Sequence, residues 1–89
     1  MNRCFLIGKI VSELGFKFVV NSKIKSICFF KIELSNNSIV EIVGYNLIAD
    51  SCYRRLKKGM YVTVEGMIEN KGRFIVIEIV KYILNKSEQ

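Results

Sequence analysis

The sequence has few of the groups that enzyme active sites use. Its 89 residues include no histidine, no proline and no tryptophan, and Asp50 is the one aspartate. The serines therefore have no candidate base partner, and the sequence contains neither a phosphate-binding loop nor a dinucleotide-binding glycine pattern. We predict that the chain is not an enzyme and that it uses no cofactor.

Cysteine is also scarce. Cys4, Cys28 and Cys52 make an odd number, lie in apolar surroundings and lack C-x-x-C spacing. No histidine is available to complete a zinc site. We therefore expect reduced, buried cysteines in a cytoplasmic protein without a bound metal.

Long apolar runs are missing as well. Hydrophobic residues make up 51% of the chain, too many for a disordered protein. Lys, Glu and Gly break their runs, so no stretch of ~20 residues is suited to span a membrane. The first residues show no signal-peptide pattern. We predict one folded domain over residues 1–84, followed by a short polar tail over residues 85–89.

A short helix is predicted in the middle of the chain. Asn46 suits the N-cap position, where its side-chain oxygen can accept from a backbone N–H. Ile48, Cys52 and Leu56 follow at i, i+4 spacing and form one apolar stripe. Gly59 suits the left-handed position that ends a helix. The basic residues near this end suit the negative end of the helix dipole; they are Arg54, Arg55, Lys57 and Lys58.

Strand patterns lie on both sides of this helix. They cover residues 3–11, 23–34, 39–45, 60–66 and 74–84, with 16–20 as a short strand or a continuation of the first. The polar segments 35–38 and 69–72 are predicted hairpin turns. Gly66 follows a strand pattern, as at a bulge or a barrel corner. The last strand is apolar on both faces, so it needs cover on both sides or an interrupting bulge.

The order of these elements indicates a small closed barrel. Three strands, one helix and two strands, with antiparallel pairing, are typical of the OB-fold. We therefore predict an all-β protein, a five-stranded OB-fold barrel with one short helix between strands 3 and 4. Alternation places Cys28 and Phe30 inside and Phe29, Lys31 and Tyr45 outside.

Three segments resemble the bacterial single-stranded-DNA-binding protein family. They are "MNRCFLIGKI", "IVEIVGYN" and "YNLIADSCYRRLKKGMYVTVEGMI", in the order of that family's first strand, third strand, and helix with fourth strand. The related primosomal replication protein N type is the nearest sibling in size. The resemblance implies an OB-fold that binds single-stranded DNA in replication, repair or replication restart. It also implies contact with replication or primosome proteins.

Charge and aromatics agree with a nucleic-acid partner. The formal net charge is +6, and single strands are held by base stacking on aromatics and by basic groups along the phosphates. The candidate stacking residues are Tyr45, Phe18, Phe29 and Phe74. The candidate phosphate contacts are Lys9, Lys17, Lys31, Lys58 and Arg73. The resemblance implies stacking by Tyr45, just before the helix, and DNA contacts by Phe18 and Lys58.

Two other interpretations of the same residues stay open. Outward Phe29, with Ile27, Ile39 and Val43, also fits a protein–protein adaptor that has lost nucleic-acid binding. RNA is a third possible partner. The chain lacks the family's tryptophans and its acidic C-terminal tail, and the loop at residues 35–38 is short. These departures favour a small accessory or primosome-type binder.

The first strand predicts self-association. Cys4 and Leu6 take one of its faces, and Phe5 and Ile7 take the other. A strand that is apolar on both faces needs cover on both sides, and a small domain cannot supply all of it. We expect a homo-oligomer that pairs through this strand across a two-fold axis, most simply a dimer, with a tetramer as the alternative.

Overall fold

The computed structural model describes residues 3–20, 23–72 and 74–85, except for the side chain of Phe74. This part of the chain forms six strands and one helix. The strands are β1 (Arg3–Ile10), β2 (Gly15–Phe18), β3 (Ser26–Leu34), β4 (Ile39–Tyr45), β5 (Tyr61–Lys71) and β6 (Phe74–Asn85), and α1 spans Leu47–Arg55. Within the described residues, no helix is long and apolar enough to cross a membrane.

The strands close into a barrel in the order β1, β5, β6, β4, β3 and back to β1. Closure occurs where Gly8–Ile10 pair with Ile32–Leu34. The short β2 pairs with β3 outside this ring. The predicted all-β class and OB-fold barrel, with the helix between the third and fourth barrel strands, are confirmed.

One part of the predicted pairing is wrong. β4 and β6 are parallel, with Ile42 beside Ile77, whereas antiparallel pairing was expected throughout. The cause is the connection: α1 carries the chain across the barrel, so β5 pairs with β1. The return strand β6 then runs in the direction of β4. Parallel neighbours need such a crossover, which a tight hairpin cannot provide.

Alternation along the strands fills the barrel, as predicted. Most inward side chains of β3, β4 and β5 are almost completely buried, and two helix residues, Ala49 and Cys52, close one end of the barrel together with the C-cap residue Leu56. The buried apolar residues are Ile10, Cys28, Phe30, Ile32, Ile42, Ala49, Cys52, Leu56, Val62, Val64, Ile77 and Ile79. All three cysteines are free, and Cys4 is only partly buried. Burial raises the pKa of Cys28 to about 11 and that of Cys52 to about 12, so both stay protonated at neutral pH.

The helix has the predicted apolar stripe but different ends. Asn46 makes no side-chain cap. Its Oδ1 accepts the N–H of Lys25 at 2.7 Å, and its Nδ2 donates to the carbonyl of Lys23 at 2.9 Å. Asn46 therefore fixes the β2–β3 connection instead, and β3 begins at Ser26 rather than at residue 23. Its φ of 60° suits asparagine, which tolerates the left-handed region.

The far end of the helix comes earlier than predicted. α1 ends at Arg55, and Leu56 is its extended C-cap. Gly59 is left-handed, with φ 99°, but it lies in the turn that enters β5, where its N–H donates to the carbonyl of Ile10 at 2.8 Å. Lys57 and Lys58 therefore follow the helix instead of belonging to its last turn.

The predicted bulge at Gly66 is present. Glu65 pairs with Lys81 and Gly66 pairs with Ile79, so Val80 is the extra residue on β6. A Cβ on Gly66 would lie 2.4 Å from the carbonyl oxygen of Glu78. Only glycine permits this approach, which bends the β5–β6 pair around the barrel.

The first predicted hairpin turn is confirmed, and the second is displaced. The β3–β4 turn covers residues 35–38, where the N–H of Leu34 donates to the carbonyl of Ser38 at 2.9 Å. The β5–β6 ladder continues to the pair Lys71–Phe74, so residues 69–71, expected in the turn, lie in the strand. β6 ends at Asn85, and the rest of the predicted tail, 86–89, lies outside the described residues.

Candidate nucleic-acid interface

The outward side chains of β2, β3 and β4 form one continuous surface, which we call the sheet face. Cross-strand pairs define it, because residues directly opposite one another point to the same side. Ile27 of β3 lies opposite both Lys17 and Tyr45, and Lys31 lies opposite Glu41. The face consists of Gly15, Lys17, Ile27, Phe29, Lys31, Glu33, Ile39, Glu41, Val43 and Tyr45.

Phe29 is a fixed, accessible aromatic at the centre of the sheet face. It lies opposite Gly15, and its ring occupies the space that a Cβ on Gly15 would take, within 2.3 Å. The ammonium of Lys17 is 5.9 Å from the ring centroid, and 45% of Phe29 remains exposed. A ring that is held on one side and open to solvent can stack with a base at little entropic cost.

Cations follow the β1 and β2 side of this face. Lys31 is exposed beside Phe29, where both line a depression of about 290 Å³. Lys9 lies opposite Glu33 at the far end of β3, with its ammonium 5.9 Å from the ring centroid of Tyr61. Lys17 completes the row at the other end. The structure therefore brings three of the predicted phosphate contacts alongside Phe29.

Carboxylates follow the opposite side. Glu78 of β6 lies beside Val43, and Glu69 makes an ion pair with Lys71 at 3.6 Å. Burial is the main cause that raises the pKa of Glu78 above its ordinary value. A hydrogen bond that protonated Glu78 donates to Glu69, and the negative charge of Glu69, raise it further. Counting both margins and the depression beside Phe29, four lysines face five glutamates: Lys9, Lys17, Lys31 and Lys71 against Glu13, Glu33, Glu41, Glu69 and Glu78.

Tyr45 points outward, as predicted, but it lies on the acidic side. It is half-buried opposite Ile27. Burial, followed by the charges of Glu69 and Glu78, raises the pKa of its hydroxyl, and Lys71 opposes that shift. The ring shares the sheet face with Phe29, although its hydroxyl lies near negative charge. Its role as a stacking residue stays a prediction.

Phe18 and Lys58 lie on a different side of the molecule. Phe18 is opposite Ser26, so it points away from the sheet face, and 81% of it is exposed. Lys58 lines a depression beside Tyr53 and the end of the helix. The structure does not bring these two residues together with Phe29. Arg73 and the side chain of Phe74 lie outside the described residues.

Sequence reasoning named neither of two exposed aromatics, Tyr61 and Tyr53, as a candidate. Half of Tyr53, which lies beside the apolar stripe of the helix, is exposed, and its ring stacks on Phe16 with a centroid distance of 4.8 Å. Its position at the edge of the stripe, directly before two arginines, was the available signal. Among the described residues, no group of histidine, cysteine or acidic side chains is placed to hold a metal ion.

The predicted oligomer residues divide between the two sides of β1. Cys4 and Leu6 pack against the core. Phe5 and Ile7 point outward and are 69% and 64% exposed. Ile7 of β1 and Ile83 of β6 lie on either side of Thr63 in β5, and Ile83 is exposed too. We call Phe5, Ile7 and Ile83 the apolar face.

The fold has close structural counterparts. An SSB domain from Synechococcus sp. matches with a TM-score of 0.84 and 14% identity, over 92% of this chain and 93% of its own. The single-stranded DNA binding protein from Thermus aquaticus matches with a TM-score of 0.87 and 13% identity, over 100% of this chain and 42% of its own. The protein PriB from Ralstonia solanacearum matches with a TM-score of 0.77 and 14% identity, over 97% of this chain and 99% of its own. No protein-family model and no curated protein matches the sequence.

These likenesses confirm, for the fold, the resemblance that the sequence indicated. The structural neighbours are bacterial SSB domains and PriB, the primosomal type that was named as the sibling. Because identity is 13–14%, the match establishes the barrel and its topology. What the surface binds has to be argued from this chain's own residues.

Proposed function

We propose that the protein binds single-stranded DNA with little sequence preference, through the sheet face. The observation that supports this most directly is Phe29, an exposed ring held over Gly15 with the ammonium of Lys17 5.9 Å from its centroid. Stacking on such a ring tolerates any base, because every base has a π-face. The protein is a binding module rather than an enzyme, and its free thiols fit a reducing compartment such as the cytoplasm.

The residues take two roles in this proposal. Phe29 on β3 stacks with one base, and Tyr45 on the neighbouring strand β4 of the same face stacks with a second. Lys17, Lys31 and Lys9 neutralise phosphates along the β1 and β2 side, where the cations lie. The neighbours' names, single-stranded DNA binding protein and PriB, agree with this partner. They favour a role in replication, repair or replication restart.

The test is a titration of fluorescent oligo-dT and oligo-rU at two salt concentrations, with a duplex of the same length. We expect oligo-dT to bind and the duplex to bind weakly or not at all. The slope of log K against log salt should be about −2, because each phosphate contact on a single strand contributes about −0.7 and three lysines are involved. Binding that ignores salt, or a preference for duplex, would contradict the proposal. Stronger binding of oligo-rU would reassign the partner to RNA.

The charge of the sheet face favours one alternative. Four lysines against five glutamates give less attraction for a polyanion than the chain's +6 suggests. With Ile27, Phe29, Ile39 and Val43, the face would then be a contact for another protein of a replication complex. A parent protein that is folded but binds no oligonucleotide at low salt would favour this adaptor.

A further inference from the structure

A second aromatic cluster lies on the helix side of the barrel. The ring of Phe16 stacks on Tyr53, with centroids 4.8 Å apart and an interplanar angle of 27°. Phe18 meets Phe16 edge-on at 5.2 Å. Phe16 is partly buried against the core, whereas Phe18 is 81% and Tyr53 50% exposed. The cluster thus presents two open rings that are held in place by a third.

Three adjoining depressions lie beside Phe16 and Tyr53. The first, of about 320 Å³, is lined by Phe16, Asp50, Tyr53 and Arg54. Asp50 also lines the second, with Lys23 and Lys25, and Tyr53 also lines the third, with Lys57 and Lys58. Because neighbouring depressions share a residue, they form one continuous surface, which we call the helix surface.

The helix surface carries a surplus of positive charge. Its carboxylates are Asp50 and Glu13, and Asp50 accepts a hydrogen bond from the hydroxyl of Ser26 at 3.3 Å. Its cations are Lys23, Lys25, Arg54, Lys57 and Lys58. Five cations against two carboxylates contrast with the sheet face, where five glutamates border four lysines. The chain's positive charge is therefore concentrated beside the helix.

From this arrangement we infer a second binding segment: a single strand that occupies the sheet face continues around β2 and lies across the helix surface. This inference rests on the function proposed above. β2 is four residues long and pairs with β3. Lys17 points to the sheet face, while Phe16 and Phe18 point to the helix side. β2 ends the strand order of the sheet, so the two surfaces lie on opposite faces of the same edge strand.

The chemistry of the helix surface favours a nucleic acid over an acidic peptide. Both would be attracted by the cations, but a nucleic acid carries a flat base with every phosphate, so it can stack on Phe18 and Tyr53 while it neutralises the cations. Two of the cations are also positioned in advance, since Asn46 holds the backbone at Lys23 and Lys25. A chain of bases and phosphates uses both features at once.

Oligonucleotide length provides the test. Fluorescent oligo-dT of about 5 and about 16 nucleotides, near the ends of the range of OB-fold site sizes, is titrated with the parent, with Phe18→Ala and with the control Val20→Ala. We expect Phe18→Ala to lower the affinity for the long strand about 5- to 100-fold and to leave the short strand unchanged. Val20 is fully exposed two residues away, so Val20→Ala should change neither affinity.

A second variant tests the cations. Replacing Lys57 and Lys58 with glutamine should reduce the salt slope for the long strand by about 1.4, at about 0.7 per phosphate, and leave the slope for the short strand unchanged. Phe29→Ala should weaken both lengths, because the sheet face is the first site.

The outcomes separate this inference from the proposed function. If the parent binds neither strand, the proposed function fails. If the parent binds but Phe18→Ala is neutral for the long strand, or weakens both strands equally, the second segment is overturned while the function stands. A fluorescent oligoglutamate peptide provides the last comparison. If the peptide binds the parent but not Phe18→Ala, and both proteins bind DNA equally well, the helix surface belongs to a protein partner and the inference is overturned.

Discussion

The sheet face and the apolar face are built from similar strands but present opposite chemistry. On the sheet face, Phe29 lies between Lys17 and Lys31. On the apolar face, Phe5 and Ile7 alternate along β1 with inward residues in the same way. The charges beside them are the Arg3–Glu65 ion pair at 2.9 Å and Lys81, which lines a depression with Phe5 and Ile83. An apolar patch attracts another apolar patch, whereas a ring beside lysines suits a charged ligand with flat bases.

This difference shows that the barrel alone does not decide what each side binds. Inward positions are constrained by packing, so all five barrel strands are alike inside. Outward positions are free to differ, and they divide the surface by function.

The largest effect should come from charging the apolar face. We expect the parent to be a dimer, with β1 of one protomer against β1 of the other, because in the described chain residues 3–7 pair only with β5. The double variant Phe5→Glu, Ile7→Glu should be a monomer near 10.3 kDa, since each unpaired buried carboxylate costs several kcal/mol. Light scattering at micromolar concentration measures this.

The matched control is Ile75→Glu. Ile75 is 58% exposed, similar to Ile7, but lies near the β5–β6 turn, so this variant should keep the parent's mass. A monomeric parent, or a double variant that assembles like the parent, would show that the apolar face is not an interface.

The next effect concerns the sheet face. Phe29→Ala should weaken binding of oligo-dT by roughly 1–3 kcal/mol, the usual cost of losing one stacked base. The fold should survive because Phe29 points outward and the space over Gly15 simply opens. Ile83→Ala on the apolar face is the control and should leave the affinity unchanged. Equal losses in the two variants would mean that the two faces do not differ in ligand.

Tyr45→Ala should have a smaller effect, about 1 kcal/mol, at the low end of the range for a stacked base. Tyr45 is already partly buried, and the charges of Glu69 and Glu78 act on its hydroxyl, so a phosphate is repelled there. Circular dichroism checks that the variant is folded, and the titration used for Phe29→Ala measures the loss. A larger loss than for Phe29→Ala would move the centre of the site to β4.

Periodicity was enough to predict most of the fold. Alternation placed Cys28 and Phe30 inside, and the strand-like residues around Gly66 indicated the bulge. The parallel β4–β6 pair was missed because pairing between distant strands depends on where the helix sends the chain, which no local pattern contains. The caps were missed because Asn46 has two possible sets of partners, and only the folded chain brings Lys23 and Lys25 to it.

The candidate site was predicted in part. Alternation in β3 and β4 identified Phe29, Lys31 and Tyr45 as outward residues. It did not show that Phe18 points away from them, since the register of β2 on β3 was unknown. The distribution of charge was also hidden, because residues far apart in sequence, such as Glu78 and Glu69, meet beside Tyr45 only after the barrel closes.

The smallest expected effect is a pH dependence of DNA binding that belongs to Glu78. Burial, together with Glu69, raises its pKa above the ordinary value of 4.5, so it gains a proton before an exposed glutamate does as the pH falls. Phosphates keep their charge, and the sheet face loses one negative charge on its acidic side, near Tyr45 and opposite the row of lysines. Affinity for oligo-dT should therefore rise about twofold to fivefold on acidification, the scale of an exposed charge interaction.

The variant Glu78→Gln separates this effect from others. It should bind more tightly than the parent at neutral pH and lose the rise on acidification. The pKa of Glu78 is higher in the folded state than in the unfolded state, so between these two values the native protein binds more protons than the unfolded chain. The parent's stability should therefore fall as the pH rises through that window. The stability of Glu78→Gln should not show this fall. Glu65→Gln changes the net charge equally but lies beside Arg3, away from the sheet face. If it strengthens binding as much as Glu78→Gln, net charge rather than the acidic side of the sheet face governs the affinity.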